Sequence, residues 1–312
     1  MNSTTIQYLP DGSIDLIDVR VDDPKENEVQ IEGGVCGICS WDIATAKLGD
    51  KLYPKAPPGH EGMGHVVKVG SGVTWLKEGD RVAGGGFATL RNLPASSVYK
   101  IPEGNKLADE YWVVEPVSCV VTGLDHCRLK AGDRVAVIGS GFMGLLLIQG
   151  LLRSSLDALV AIDVVESRLE LARKLGVKTV YNSAQFDYGQ LVKELKPFEF
   201  DVVIDTSGVQ AGLDLASDVV RTGGLINLFG WIKGDKTTFN PTKWHLGGFT
   251  LVNSSPPSQL RNPFPPAIRL IHEGVFDLRP LVTHVEGLQN YPVLMKQIVQ
   301  GDKSYVKGVI KL

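Results

Sequence analysis

The stretch Arg134-Val135-Ala136-Val137-Ile138-Gly139-Ser140-Gly141-Phe142-Met143-Gly144 decides the fold. Val135 to Ile138 is a continuous apolar run of strand length, the pattern of a strand buried on both faces of a parallel sheet. Three glycines then turn the chain into an apolar helix running from Gly141 through Leu152. In such a turn Gly139 permits the tight bend, Gly141 the close approach of a pyrophosphate, and Gly144 the packing of helix on strand. The helix N-terminus presents unpaired N–H groups to the phosphates. A carboxylate at the end of the next strand completes the pattern: Asp163 closes Leu159-Val160-Ala161-Ile162-Asp163, 19 residues past Gly144. Facing the adenosine ribose, it accepts hydroxyl hydrogen bonds and repels a 2′-phosphate, which selects NAD over NADP.

Outward from this unit the alternation continues. Ser167 to Leu175 reads as an amphipathic helix ending at Gly176, followed by apolar strands at Asp201–Asp205 and Gly224–Gly230. Residues 122–256 therefore form a Rossmann-type, doubly wound parallel sheet within an α/β protein. Residues 1–121 have a different grain, with short β-type runs (Glu28–Ile31, Gly64–Gly70, Asp80–Ala83) punctuated by Pro57-Pro58-Gly59, Gly70-Ser71-Gly72 and Gly84-Gly85-Gly86. That spacing predicts a β-rich, barrel-like domain. After the proline-rich passage Pro256-Pro257 to Pro265-Pro266, residues 257–312 carry a helix (Ala267 to Glu273), the segment Pro280–His284 and a strand within Val306–Leu312, and return to the first domain.

Bulk properties exclude several classes. A chain of 312 residues exceeds the size at which one core usually splits. The net charge of -3, without runs of one sign, gives no footprint for nucleic acid or an anionic membrane. The most apolar stretch, Phe142 to Leu152, is too short to span a bilayer. Four cysteines do not make a disulfide framework, and the polar start Met1–Thr5 lacks the pattern of a signal peptide, so a cytoplasmic location is expected.

Upstream of the glycines, Cys39, His60 and Glu61 offer a thiolate, an imidazole and a carboxylate, the ligand set of a borderline-soft metal such as zinc. Singly each is unremarkable, since a cysteine is commonly core and a histidine beside a glycine turn is commonly structural. Together, Gly34-Val35-Cys36-Gly37-Ile38-Cys39-Ser40-Trp41-Asp42, Gly59-His60-Glu61-Gly62-Met63-Gly64, Lys77–Val82, Val114-Glu115-Pro116, the glycine fingerprint and Pro280–His284 resemble the zinc-dependent medium-chain dehydrogenase/reductase family, nearest its sorbitol (polyol) dehydrogenase branch.

The resemblance implies a GroES-like catalytic domain, a Rossmann domain, a zinc in the cleft between them, and a homodimer or homotetramer built through the Rossmann sheets. Carried over residue by residue, Cys39 and His60 match the first two zinc ligands, and Glu61 the adjacent carboxylate. Glu115 matches the position where the polyol branch has Glu, and Asp42 an acid that orients the histidine. Arg168 matches the basic residue along the adenosine, while Met143, Phe229-Gly230 and Asn253 match backbone contacts to the cofactor. Cys36 and Cys119 match no ligand position.

Three departures accompany the match. The lobe of four cysteines that holds a structural zinc is missing, so one zinc per chain is expected. Trp41 stands where Ser or Thr usually passes on the alcohol proton, and Ala44 where a histidine often continues the relay. An indole N–H donates but does not accept, which leaves Glu61 and Glu115 as candidates for proton transfer and Trp41 as a wall of the substrate pocket. The leading reading is an NAD-dependent zinc dehydrogenase oxidising a secondary hydroxyl of a polyol, sugar or cyclitol. A zinc-free NAD(P)H reductase of the same superfamily and a non-catalytic NAD-binding protein remain as alternatives.

Overall fold

The computed structural model describes residues 1–48, 58–231 and 236–312; Pro57, read from sequence as part of a turn, lies outside the described residues. The chain divides into two compact units, one formed by Met1–Val117 with Phe264–Leu312 and the other by Ser118–Pro263.

The first unit opens with the antiparallel pair β1 (Asn2–Tyr8) and β2 (Ile14–Arg20). It continues with β3 (Glu28–Gly37), α1 (Ser40–Leu48), β4 (Glu61–Val69), β5 (Arg81–Ala83), β6 (Leu90–Pro94) and β7 (Tyr99–Lys100). Helix α2 (Val114–Cys127) carries the chain onward. Turn residues explain why the strands are short. Gly84 and Gly85, for example, sit at φ 147° and 102°, backbone that residues with a side chain rarely adopt.

In the second unit strands and helices alternate: β8 (Arg134–Ile138), α3 (Phe142–Leu151), β9 (Ala158–Asp163), α4 (Glu166–Leu175), β10 (Thr179–Asn182), α5 (Tyr188–Leu195), β11 (Phe200–Asp205), α6 (Gln210–Val219), β12 (Val220–Leu228), α7 (Pro241–Gly247) and β13 (Thr250–Asn253). All pairs are parallel, in the order β10-β9-β8-β11-β12-β13. The order reverses between β8 and β11, which opens a crevice at their carboxyl ends. Val160, Ile162, Val203, Phe200 and Ile226 on the strands pack with Leu191, Leu195 and Leu215 from the helices.

The tail supplies α8 (Phe264–His272), β14 (Val282–Gly287), α9 (Tyr291–Val299) and β15 (Lys307–Lys311). It closes the first unit's sheet, in the order β14-β15-β3-β4-β5-β7 with β6 also on β3. Where the sequence marks boundaries after 121 and 256, packing divides the chain after Val117 and Pro263. At the second boundary Phe264 stacks on Tyr99 of β7, ring centres 4.3 Å apart, which ties it to the first unit. Tyr291, Leu294 and Met295 of α9 pack on Ile6, Cys36, Ile38 and Phe87.

Candidate active site

Strand β3 ends at Gly37 and pairs, residue on residue, with Glu61 at the start of β4. This register brings the turn carrying Cys39 against His60 and Glu61. The ligand atoms of Cys39, His60 and Glu61 all lie within 4.8 Å of one another. Glu61 is buried, Cys39 half-buried and His60 exposed, so the group opens to solvent on the imidazole side. Gly37 is required here: a Cβ on it would sit 2.2 Å from Glu61 Oε2.

Two side chains hold this group in place. Asp42, in the first turn of α1, accepts the Cys39 N–H at Oδ2 over 2.7 Å, one half of a capping box. Lys307 of β15 donates to the Glu61 carboxylate and, at 2.8 Å, to the Ile38 carbonyl, and both Lys307 and Glu61 are buried. A buried carboxylate and ammonium are tolerated because each finds the other.

Burial sets the electrostatics of this group. Burial first, then the Glu61 carboxylate, push the Cys39 thiol well up, against the pull of Lys307. A divalent ion beside such a thiol reverses that balance and deprotonates it. Burial likewise raises Asp42 to about 7, opposed by the Cys39 amide and by His60. Asp42 Oδ1 has no hydrogen-bond partner among the described residues. The expected role of Asp42 in orienting His60 is thus accompanied by a direct hold on the Cys39 backbone.

The four residues expected as ligands are not all gathered. Glu115, in the first turn of α2, stands outside the three-residue group and lines a cavity of about 220 Å³ together with His60, Gly85, Arg91 and Phe264. Trp41 is half-buried in the first turn of α1, its carbonyl accepting the Thr45 hydroxyl at 2.8 Å, and it does not line that cavity. Ala44 lies on the same helix. Sequence reading missed Lys307 and Arg91. The available signal for Lys307 was a lone charge inside the apolar run Val306–Ile310; for Arg91 there was none beyond its place in a short strand.

In the second unit the glycine loop follows β8. Gly139 has φ 95°, and a Cβ on Gly144 would lie 2.0 Å from the Gly139 carbonyl oxygen, so both demand glycine. A Cβ on Gly141 would meet nothing within 4 Å, and no side chain caps the N-terminus of α3. A helix start without a side-chain cap, with half-buried Met143 in its first turn, suits a phosphate. Thr206, after β11, pins the loop through Oγ1 to the Gly139 carbonyl at 2.7 Å.

Asp163 is buried, and its oxygens accept the Ser140 N–H at 2.6 Å and the Val165 N–H at 2.8 Å. Ribose hydroxyls would have to use the remaining lone pairs. Arg168 follows in the first turn of α4. The Phe229 and Gly230 amides both donate to the Asp205 carbonyl, at 3.0 and 2.8 Å, and Asn253 ends β13 beside Leu228. The backbone positions expected at the cofactor therefore cluster at the carboxyl ends of β8, β9, β12 and β13.

Comparison with known proteins agrees with this architecture. Residues 25–103 match the alcohol dehydrogenase GroES-like domain, and residues 143–273 match the zinc-binding dehydrogenase domain. An alcohol dehydrogenase from Geobacillus stearothermophilus is 31% identical over 68% of this chain and 73% of its own length. D-arabinitol dehydrogenase 1 from Uromyces fabae is 29% identical, covering 92% of this chain and 91% of its own. A crystal structure of an Escherichia coli oxidoreductase/dehydrogenase of unknown specificity superposes with a TM-score of 0.90 at 26% identity, over 100% of this chain and 99% of that one. The GroES-like and Rossmann units, with a thiol, an imidazole and a carboxylate gathered in the first, place the chain in the zinc-type alcohol dehydrogenase family. It is a nicotinamide-dependent dehydrogenase of that class.

Proposed function

We propose that this chain oxidises a secondary hydroxyl of a polyol, sugar or cyclitol to a ketone, using one zinc ion and NAD. The convergence of Cys39, His60 and Glu61 within 4.8 Å carries the reading. The donor set fits zinc, and the burial that keeps the Cys39 thiol protonated is relieved by a cation. Cys39 and His60 would hold the ion with one carboxylate, Glu61 or Glu115. When bound, the zinc acidifies a substrate hydroxyl and the nicotinamide accepts hydride.

The protein's own groups do the rest. Asp42 fixes the turn bearing Cys39, and Lys307 positions Glu61 and balances its charge. Glu61 and Glu115 are the carboxylates able to take up the hydroxyl proton, since the Trp41 indole cannot accept one. The first turn of α3, which no side chain caps, suits a pyrophosphate, and the Asp163 carboxylate disfavours a 2′-phosphate, which supports NAD over NADP. Strand β13 ends the second sheet with Leu251 45% exposed, an unpaired edge suited to a homodimer or a homotetramer. Four free cysteines suit a reducing cytoplasm. Among the described residues no helix is long and apolar enough to cross a membrane.

The test is a panel of polyols, sugars, cyclitols and simple secondary alcohols with NAD or NADP, following NADH or NADPH absorbance, beside metal analysis. One zinc per chain and NADH formation on at least one polyhydroxylated substrate are expected. A fully metallated protein that reduces neither cofactor across the panel would overturn the reading, and two tightly held zincs would overturn the metal count.

A further inference from the structure

The cavity beside His60 contains a charge with no counter-charge among the described residues. Arg91 lies on β6, paired opposite Ile31 of β3, and its side chain lines the cavity with His60, Glu115, Leu93 and Phe264. Its Nε is buried without a hydrogen-bond partner, and among the described residues Arg91 has no ion pair. Burial pulls its acidity toward the neutral form. Among the described residues Cys36 alone opposes that pull, and its own buried thiol is pushed far up by burial.

A glycine clears the path of this side chain. A Cβ on Gly86 would come within 2.7 Å of Arg91 Nη1. A half-buried guanidinium without an anion is costly, because the planar fork loses water and gains no acceptor. Such a group becomes favourable when a ligand brings a planar or tetrahedral oxyanion, to which the fork binds through two parallel N–H···O bonds.

Resting on the dehydrogenase reading above, we infer that the substrate is anionic: a polyol or sugar whose chain ends in a phosphate or carboxylate held by Arg91, with its reacting hydroxyl turned toward the Cys39, His60 and Glu61 group. Arg91 is then the specificity-determining residue of the cavity. At about 220 Å³ the space suits a small metabolite. Glu115 also lines the cavity, and its carboxylate disfavours an anion in its own vicinity, which leaves the Arg91 guanidinium as the group suited to the charged end of the substrate.

The experiment compares sorbitol, sorbitol 6-phosphate and gluconate on the zinc-loaded enzyme with NAD, in the wild type, Arg91→Gln and Arg91→Lys. Higher kcat/KM is expected for at least one anionic compound than for sorbitol. Arg91→Gln should lower kcat/KM for that compound by roughly tenfold to a hundredfold more than it lowers the value for sorbitol, with Arg91→Lys falling between. The arm that responds, phosphate or carboxylate, names the oxyanion. Equal losses on charged and neutral compounds, or a wild type that prefers sorbitol, would overturn the inference and leave the dehydrogenase reading standing. If none of the three is oxidised, the broader alcohol panel decides that reading, and calorimetry decides the role of Arg91. Sorbitol 6-phosphate or gluconate binding the wild type and not Arg91→Gln upholds the anion site, and equal binding to both proteins, or none to either, overturns it.

Discussion

The glycine loop and the candidate metal-ligand group solve one problem, holding backbone and charge in a fixed arrangement, by opposite means. The loop is local. Its constraints run between neighbours in one βαβ unit: Gly144 against Gly139, Asp163 on the Ser140 amide, Thr206 on the Gly139 carbonyl. The ligand group is assembled from distant pieces, and its charge balance depends on Lys307, 246 residues from Glu61. Local sites are set by sterics that a short motif encodes; assembled sites are set by strand register and buried charge, which a motif does not.

The largest break in this comparison is expected from the ligands. Cys39→Ser or His60→Ala should lower kcat by on the order of a thousandfold or more, since a metal contributes several kcal/mol to the reaction. Zinc content should fall in step, while far-UV circular dichroism stays unchanged. Next comes Lys307→Met, which strands the Glu61 carboxylate in a dry site at a cost of about 3–5 kcal/mol in chemical denaturation. The double variant Lys307→Met with Glu61→Leu should recover most of that loss, because no unpaired charge remains. A single variant as stable as the wild type would show that the pair carries no structural weight.

On the local side, Gly144→Ala drives a methyl group into the Gly139 carbonyl oxygen and should cost about 1–3 kcal/mol. NAD affinity should weaken with it. Asp163→Gly should relax the preference for NAD over NADP and, by releasing the Ser140 amide, raise KM for both cofactors. Equal use of NAD and NADP by the unmodified enzyme would contradict the assignment to Asp163. The smallest effect is expected at Trp41. Because it stands off the cavity that His60 lines, Trp41→Ser should change kcat/KM for the best substrate by less than about tenfold.

These contrasts also explain what the sequence disclosed. The apolar run 135–138, three glycines and an acidic strand end sufficed for the loop and its parallel sheet, because each signal acts within about 25 residues. The helix at 167–175 and its Gly176 stop were equally legible, since a glycine at φ 118° is a chain-local device. Cys39, His60 and Glu61 could be paired only through a family resemblance, for no periodicity predicts that Gly37 meets Glu61 across β3 and β4. Lys307 and Arg91 escaped altogether. Their meaning lies in burial and in the presence or absence of a counter-charge, properties that exist only once the chain is folded. Glu115 matched a ligand position in sequence yet stands outside the three-residue group, because its place is set by where α2 begins.

The pairing of β15 with β3 has a consequence for how the molecule comes into being. A ribosome delivers Glu61 long before Lys307, and at ordinary elongation rates the interval is on the order of tens of seconds. The whole stretch Ser118–Pro263 emerges in the meantime and has every strand of its own sheet at hand. The unit bearing the candidate metal ligands must wait, with a carboxylate still hydrated and β3 missing its neighbour β15. Birth order therefore runs opposite to chain order: the nucleotide half can mature first, and the half that begins at Met1 finishes last.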